Sequence, residues 1–165
     1  ARDQKAARGD PFQRGQGGRA VRGRASPRGR RNDISTERET PVASVEVSLK
    51  DIMTSVEGAL GAAVVDYSSG MALGTLGGGK DLDLTVAAAG NTDVIRAKVR
   101  TMELLGLTGQ IEDILITLES QYHLIRLVTG RSGNGLFLYL VLDKSRSNLA
   151  MARHQLKRVE EQLEV

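Results

Sequence analysis

The stretch Gly74-Thr75-Leu76-Gly77-Gly78-Gly79-Lys80-Asp81 is the most chemically suggestive run in the chain. It matches G-x-x-x-x-G-K, a glycine loop whose backbone amides cradle phosphates while the Lys reaches the outer phosphate oxygens. The next residue departs from that chemistry. Asp81 stands where a Ser or Thr hydroxyl would hold Mg²⁺, and it brings a carboxylate towards the phosphates. Gly74 also falls inside an apparent hairpin strand, whereas a phosphate loop follows a parallel strand. Asp81 and Asp83 beside Lys80 are residue types that bind metals or exchange protons, but at a helix start they also serve the helix dipole. His123 lies in an apolar strand and reads as packed or partly exposed. His154, two residues beyond the core position Ala152, reads as exposed. Glu112, Asp113 and Glu119 read as solvated strand-edge or loop charges. Arg96, Arg100, Arg126 and Arg131 read as exposed cations, none placed as an arginine finger. No nucleophile, base and orienting group come together. The sequence therefore assigns no catalytic, cofactor-binding or metal-ligating residue, and a nucleotide site at Gly74–Lys80 remains the lesser alternative.

These residues need elements to position them. Leu49, Ile52, Met53, Val56 and Leu60 recur at helical spacing, which predicts a helix over residues 47–60. Ser48 and Asp51 resemble its capping box, and Gly61 its end. Ala62–Val65 and Met71–Leu76 predict two strands joined by a tight turn at Asp66–Gly70. A long helical pattern runs from Asp81 to Leu105, with Gly90-Asn91 as a site for a kink or break. Three strands follow, at Ile111–Leu118, Tyr122–Thr129 and Leu136–Leu142. Ser132–Gly135 carries hairpin-turn chemistry between the last two. The third of these strands is apolar on both faces, which predicts a place near the sheet centre. Leu149, Ala152, Leu156, Val159 and Leu163 predict a closing amphipathic helix capped by Ser147 or Asn148. The expected order is α-β-β-α-β-β-β-α, an α+β domain with a five-stranded antiparallel sheet and helices on its faces.

Charge divides the chain. Overall it carries 23 Lys and Arg against 20 Asp and Glu, a formal net of +3. Residues 1–40 hold 11 of those cations and 5 of the acids, net +6, so residues 41–165 are net −3. The first forty residues repeat Arg-Gly pairs and have sparse apolar positions, so they predict a disordered basic segment preceding a domain at 41–165. A flexible cationic arm could hold nucleic acid or an anionic surface. The alternative is a solvated tail, favoured by the lack of interleaved aromatics. The chain has no Cys, so disulfides, thiolate nucleophiles and Cys-based metal sites are excluded. No apolar run approaches the roughly 18 residues that span a bilayer. The expectation is a cytoplasmic protein without membrane insertion.

The residues also resemble a known family. Gly61-Ala62-Ala63-Val64-Val65-Asp66 leading to Ser69-Gly70-Met71-Ala72-Leu73, then Asp113–Thr117 and Tyr122–Arg126, then Asn148–Arg153, are similar in order and spacing to the roadblock (dynein light chain-type) family. The resemblance spans about residues 47–163. It implies a profilin-like sandwich and a homodimer built from the second helix and third strand. It also implies a regulator or adaptor without catalytic activity or cofactors, whose partner is a small Ras-like GTPase or an associated signalling protein. Ile95, Val99 and Met102 on the helix, with Ile111, Asp113, Leu115 and Thr117 on the strand, are the candidate interface residues. Physical reasoning points the same way. If Ile111–Leu118 is a sheet edge, its unpaired N–H and C=O groups call for a partner strand, and a two-fold symmetry mate would supply one.

Overall fold

A computed structural model describes residues 43–165 except 131, 132 and 134. The basic segment at 1–40 lies outside the described residues, as do Arg131 and, in the turn expected at Ser132–Gly135, Ser132 and Asn134.

The elements follow the expected order: α1 (Val45–Ser55), β1 (Ala59–Asp66), β2 (Ala72–Gly77), α2 (Leu84–Leu104), β3 (Asp113–Thr117), β4 (Gln121–Leu127), β5 (Leu136–Asp143) and α3 (Leu149–Gln162). All strand pairs are antiparallel, and the sheet runs β2-β1-β5-β4-β3. The doubly apolar β5 is central, and β3 is an edge, as expected. One face of the sheet packs on α1 and α3 through Leu49, Ile52, Leu124, Leu140, Leu156 and Val159. The opposite face packs on α2 through Ala88, Ile95, Ile125, Phe137, Tyr139 and Val141. Alternation along β4 explains the division, since Leu124 and Ile125 are neighbours in sequence but belong to different cores.

Three local expectations are corrected. The cap of α1 is Ser44, whose Oγ lies 3.5 Å from the Val47 amide. Ser48 is instead buried inside the helix, one turn further on. The helix starts early because Val45 also packs on the sheet, filling the space above Gly74. It ends at Ser55 rather than Leu60. Gly58 takes φ +79°, which a side chain strongly resists, and Leu60 belongs to β1. Finally, α2 runs unbroken through Gly90-Asn91, because Ala88, Asn91, Thr92 and Ile95 face the core and the packing of that stripe outweighs the weak propensity of Gly90. Asp83 caps α2 by accepting from the Thr85 and Val86 amides at 2.9 and 3.1 Å, and Asn148 caps α3 by accepting from Met151.

Candidate interaction surface

The structure distributes the seven candidate interface residues among four settings. Ile95 is fully buried against the sheet, so it is a core residue and not a surface one. Helical spacing alone did not separate the inner edge of the α2 stripe from its flank. Val99, Met102 and Ile111 come together as lining of a groove of ≈ 720 Å³ under the C-terminal half of α2. Leu115 and Thr117 lie on the edge strand β3. Leu115 is half-buried towards the α1/α3 core, and Thr117 is exposed. Asp113 occupies the fourth setting, an ion network.

Sequence reasoning missed that network. Asp113 is not a solvated edge charge, and Arg126 is not an exposed cation. Arg126 is only 8% exposed and donates from Nε to Glu160 Oε2 at 2.5 Å. The Arg126 Nη1 lies 3.9 Å from Asp113 Oδ2, while Arg153 donates to Asp113 Oδ1 at 2.9 Å. Glu160 also accepts from the Thr129 amide at 3.0 Å and the Thr129 hydroxyl at 2.8 Å. Burial pushes the Glu160 carboxyl up. Thr129 and Arg126 together pull harder, and the group ends below its ordinary value. The network ties the first residue of the edge strand to β4 and α3. No local signal announces it: Arg126 alternates with apolar neighbours as an outward residue would, and its partner lies 34 positions away.

A second polar chain crosses the α2 side of the sheet. The Tyr139 hydroxyl lies 2.8 Å from His123 Nδ1, and His123 Nε2 lies 3.0 Å from Gln121 Oε1. A carboxamide oxygen only accepts, which places the proton on Nε2 and leaves Nδ1 to accept from Tyr139. Burial lowers the pKa of His123, which is partly buried as expected. His123 pairs with Ile116 of β3, so this chain ends beside the sheet edge. There Ile114 and Ile116 are only partly buried on the α2 side. Helix α2 lies nearest β1 and β2, on the far side of the sheet from β3, so the β3 flank of that face is the more thinly covered.

The glycine loop has a different geometry from a phosphate cradle. Gly74 sits within β2, opposite Val64 in an antiparallel pair. The Gly78 amide donates to Leu60 O at 2.8 Å, and Gly79 and Leu82 bond to each other. Asp83 takes the first free amides of α2. The amides of Gly78, Gly79 and Leu82 and those of Thr85 and Val86 are thus already bonded within the chain, and Lys80 precedes the helix by four residues. At the other end of β2, Asp66 accepts from the Ser68 amide and from both serine hydroxyls. The Ser69 hydroxyl, then Ser68, hold its carboxyl below the ordinary value. Arg96 closes that turn by donating to the Tyr67 and Ser68 carbonyls at 3.2 and 2.8 Å. Arg100 and His154 are exposed, as expected.

No protein-family model matches the sequence, and no curated protein matches it. Solved structures match the fold. A roadblock/LC7 domain from Streptomyces avermitilis superposes with a TM-score of 0.61 at 13% identity, covering 72% of this chain and 93% of that one. The gliding protein MglB of Thermus thermophilus superposes with a TM-score of 0.58 at 20% identity, covering 69% and 81%. An MglB structure described as having a tetrameric arrangement gives 0.59 at 20%, covering 69% and 80%. The chain has the roadblock fold expected from its sequence.

Proposed function

We propose that this chain is a non-catalytic, homodimeric adaptor or regulator of small Ras-like GTPase signalling, working in the cytoplasm through protein–protein contacts. The observation that carries the proposal is the β3 edge. This strand of 5 residues is paired on one side by β4 and bounded on the other by no described strand, and it carries the half-buried Ile114 and Ile116 on the α2 side. An open edge beside thinly covered apolar surface is costly to leave in water, and pairing with a two-fold copy satisfies both features at once. Asp113, held by Arg126 and Arg153, fixes the start of the strand so that it can act as a template. The roadblock fold, shared with an MglB that has a tetrameric arrangement, supports self-association. The GTPase assignment follows from the resemblance to the roadblock family.

Sedimentation velocity at micromolar concentration tests the dimer. The wild-type chain should sediment as a dimer and Thr117→Lys as a folded monomer, because a lysine on an edge strand blocks pairing without disturbing the chain's own core. A wild-type monomer would refute the dimer. The GTPase role is tested by titrating the dimer with a Ras-like GTPase from the same genome, loaded with GDP or a GTP analogue. Preference for one nucleotide state without turnover by this chain alone is the expected result.

A further inference from the structure

We propose that the groove under the C-terminal half of α2 is a docking site for an apolar and basic peptide segment of a partner protein. Its apolar lining includes Tyr67, Leu107, Ile111, Leu127 and Leu136. A neighbouring cleft of ≈ 470 Å³ shares Gln110, Ile111, Leu127 and Thr129 with it, so the two form one channel past the end of the sheet. Leu104, Leu105 and Leu107 are 82%, 66% and 54% exposed where α2 ends, an apolar run that water does not favour.

Charge decides the occupant. Among the described lining residues, Glu103, Glu112 and Glu161 are exposed carboxylates, and Lys157 is the exposed cation facing them. Arg126 and Glu160 also line the cleft but neutralise each other. The last turn of α2 holds no basic side chain, so the partial negative charge of that helix end adds to the carboxylates. Apolar surface with an acidic rim fits a segment that offers apolar side chains and Lys or Arg. A second copy seated with the two-fold axis through the groove fits poorly, since that contact would bring one acidic rim against the other. The proposal is independent of the β3 dimer and assigns Val99, Met102 and Ile111 to a different partner.

The test pans a random dodecapeptide display library on the immobilised full chain and measures the enriched peptides by fluorescence anisotropy. Enriched sequences should carry net positive charge and at least two apolar residues. Leu107→Asp and Glu112→Lys/Glu161→Lys should each weaken binding about tenfold, and added salt should weaken it further. All three positions are exposed, so the variants keep the fold, which far-UV circular dichroism checks. Sedimentation should be unchanged by either variant. Failure to enrich peptides, selection of acidic or neutral ones, or affinities indifferent to both variants would overturn the proposal. Loss of self-association in Leu107→Asp would also overturn it, by giving the groove to a second copy.

Discussion

Arg126→Met removes the cation from a carboxylate that water hardly reaches, since the Glu160 side chain is 7% exposed. Of the three bonds to Glu160, the two from Thr129 survive, and the 2.5 Å bond from Arg126 is lost with its charge. Leaving a buried charge unpaired costs about 3–5 kcal/mol, and the surviving Thr129 bonds place this case near about 3 kcal/mol. At roughly 2.1 cal/mol/K of unfolding entropy per residue, a domain of about 120 residues would lose about 12 °C in Tm. Arg126→Met/Glu160→Gln leaves no unpaired charge there and should cost only about 1 kcal/mol. The sign with pH is also defined. The depressed Glu160 pKa gives the native chain stability that is full above the ordinary glutamate range and lost as pH falls through the native value. Without Arg126, burial is left opposed only by Thr129 and the carboxyl rises, so acid protonates it and relieves the single variant. The gap between wild type and Arg126→Met should therefore narrow from about pH 7 to about pH 4. Urea unfolding of the full chain at fixed protein concentration measures each value. A loss below about 1 kcal/mol at neutral pH, or a double variant as unstable as the single, would refute the argument from an unpaired charge.

Other consequences can be checked in the same assay. Asp83→Ala should cost about 1–2 kcal/mol and Ser44→Ala about 0.5 kcal/mol, because Asp83 serves two amides and Ser44 makes one long contact. The reverse ranking would show that the cap geometry is not what limits these helices. Gly77→Ala should lose about 2 kcal/mol or more, since Gly77 has φ +78° and a Cβ there would meet Leu60 O at 2.6 Å. Burial depresses the His123 pKa, so protonation opposes folding. The stability tied to neutral His123 is present above its unfolded pKa and is lost as pH drops through the lower native value. His123→Gln should flatten the stability profile between about pH 7 and about pH 5, and an unchanged slope would count against the buried imidazole.

Much of this protein was legible along the chain because periodicity reports on one element at a time. The doubly apolar run Leu136–Leu142 required cover on both faces, and it is the central strand. The alternation at Ile114 and Ile116 marked a strand, whose two faces meet different cores, and the spacing of Leu149, Ala152, Leu156 and Val159 marked a helix against a sheet. Together these determined the element order and fold class. Helix boundaries were less legible, since Ser44 and Ser48 carry the same side chain and only contact with the sheet decides which one caps α1. What tertiary structure alone decided was the role of the charges. Arg126 and Asp113 have the residue types of a solvated surface, and nothing within ten positions distinguishes them from Arg100 or Glu112. Folding places Arg126 beside Glu160, across 34 residues, where low solvent access turns an ordinary charge into a buried ion pair. The same held for Ile95 and Val99, four positions apart on one helical face. The sheet beneath α2 covers the first completely, as part of the core, and leaves the second on the wall of a groove.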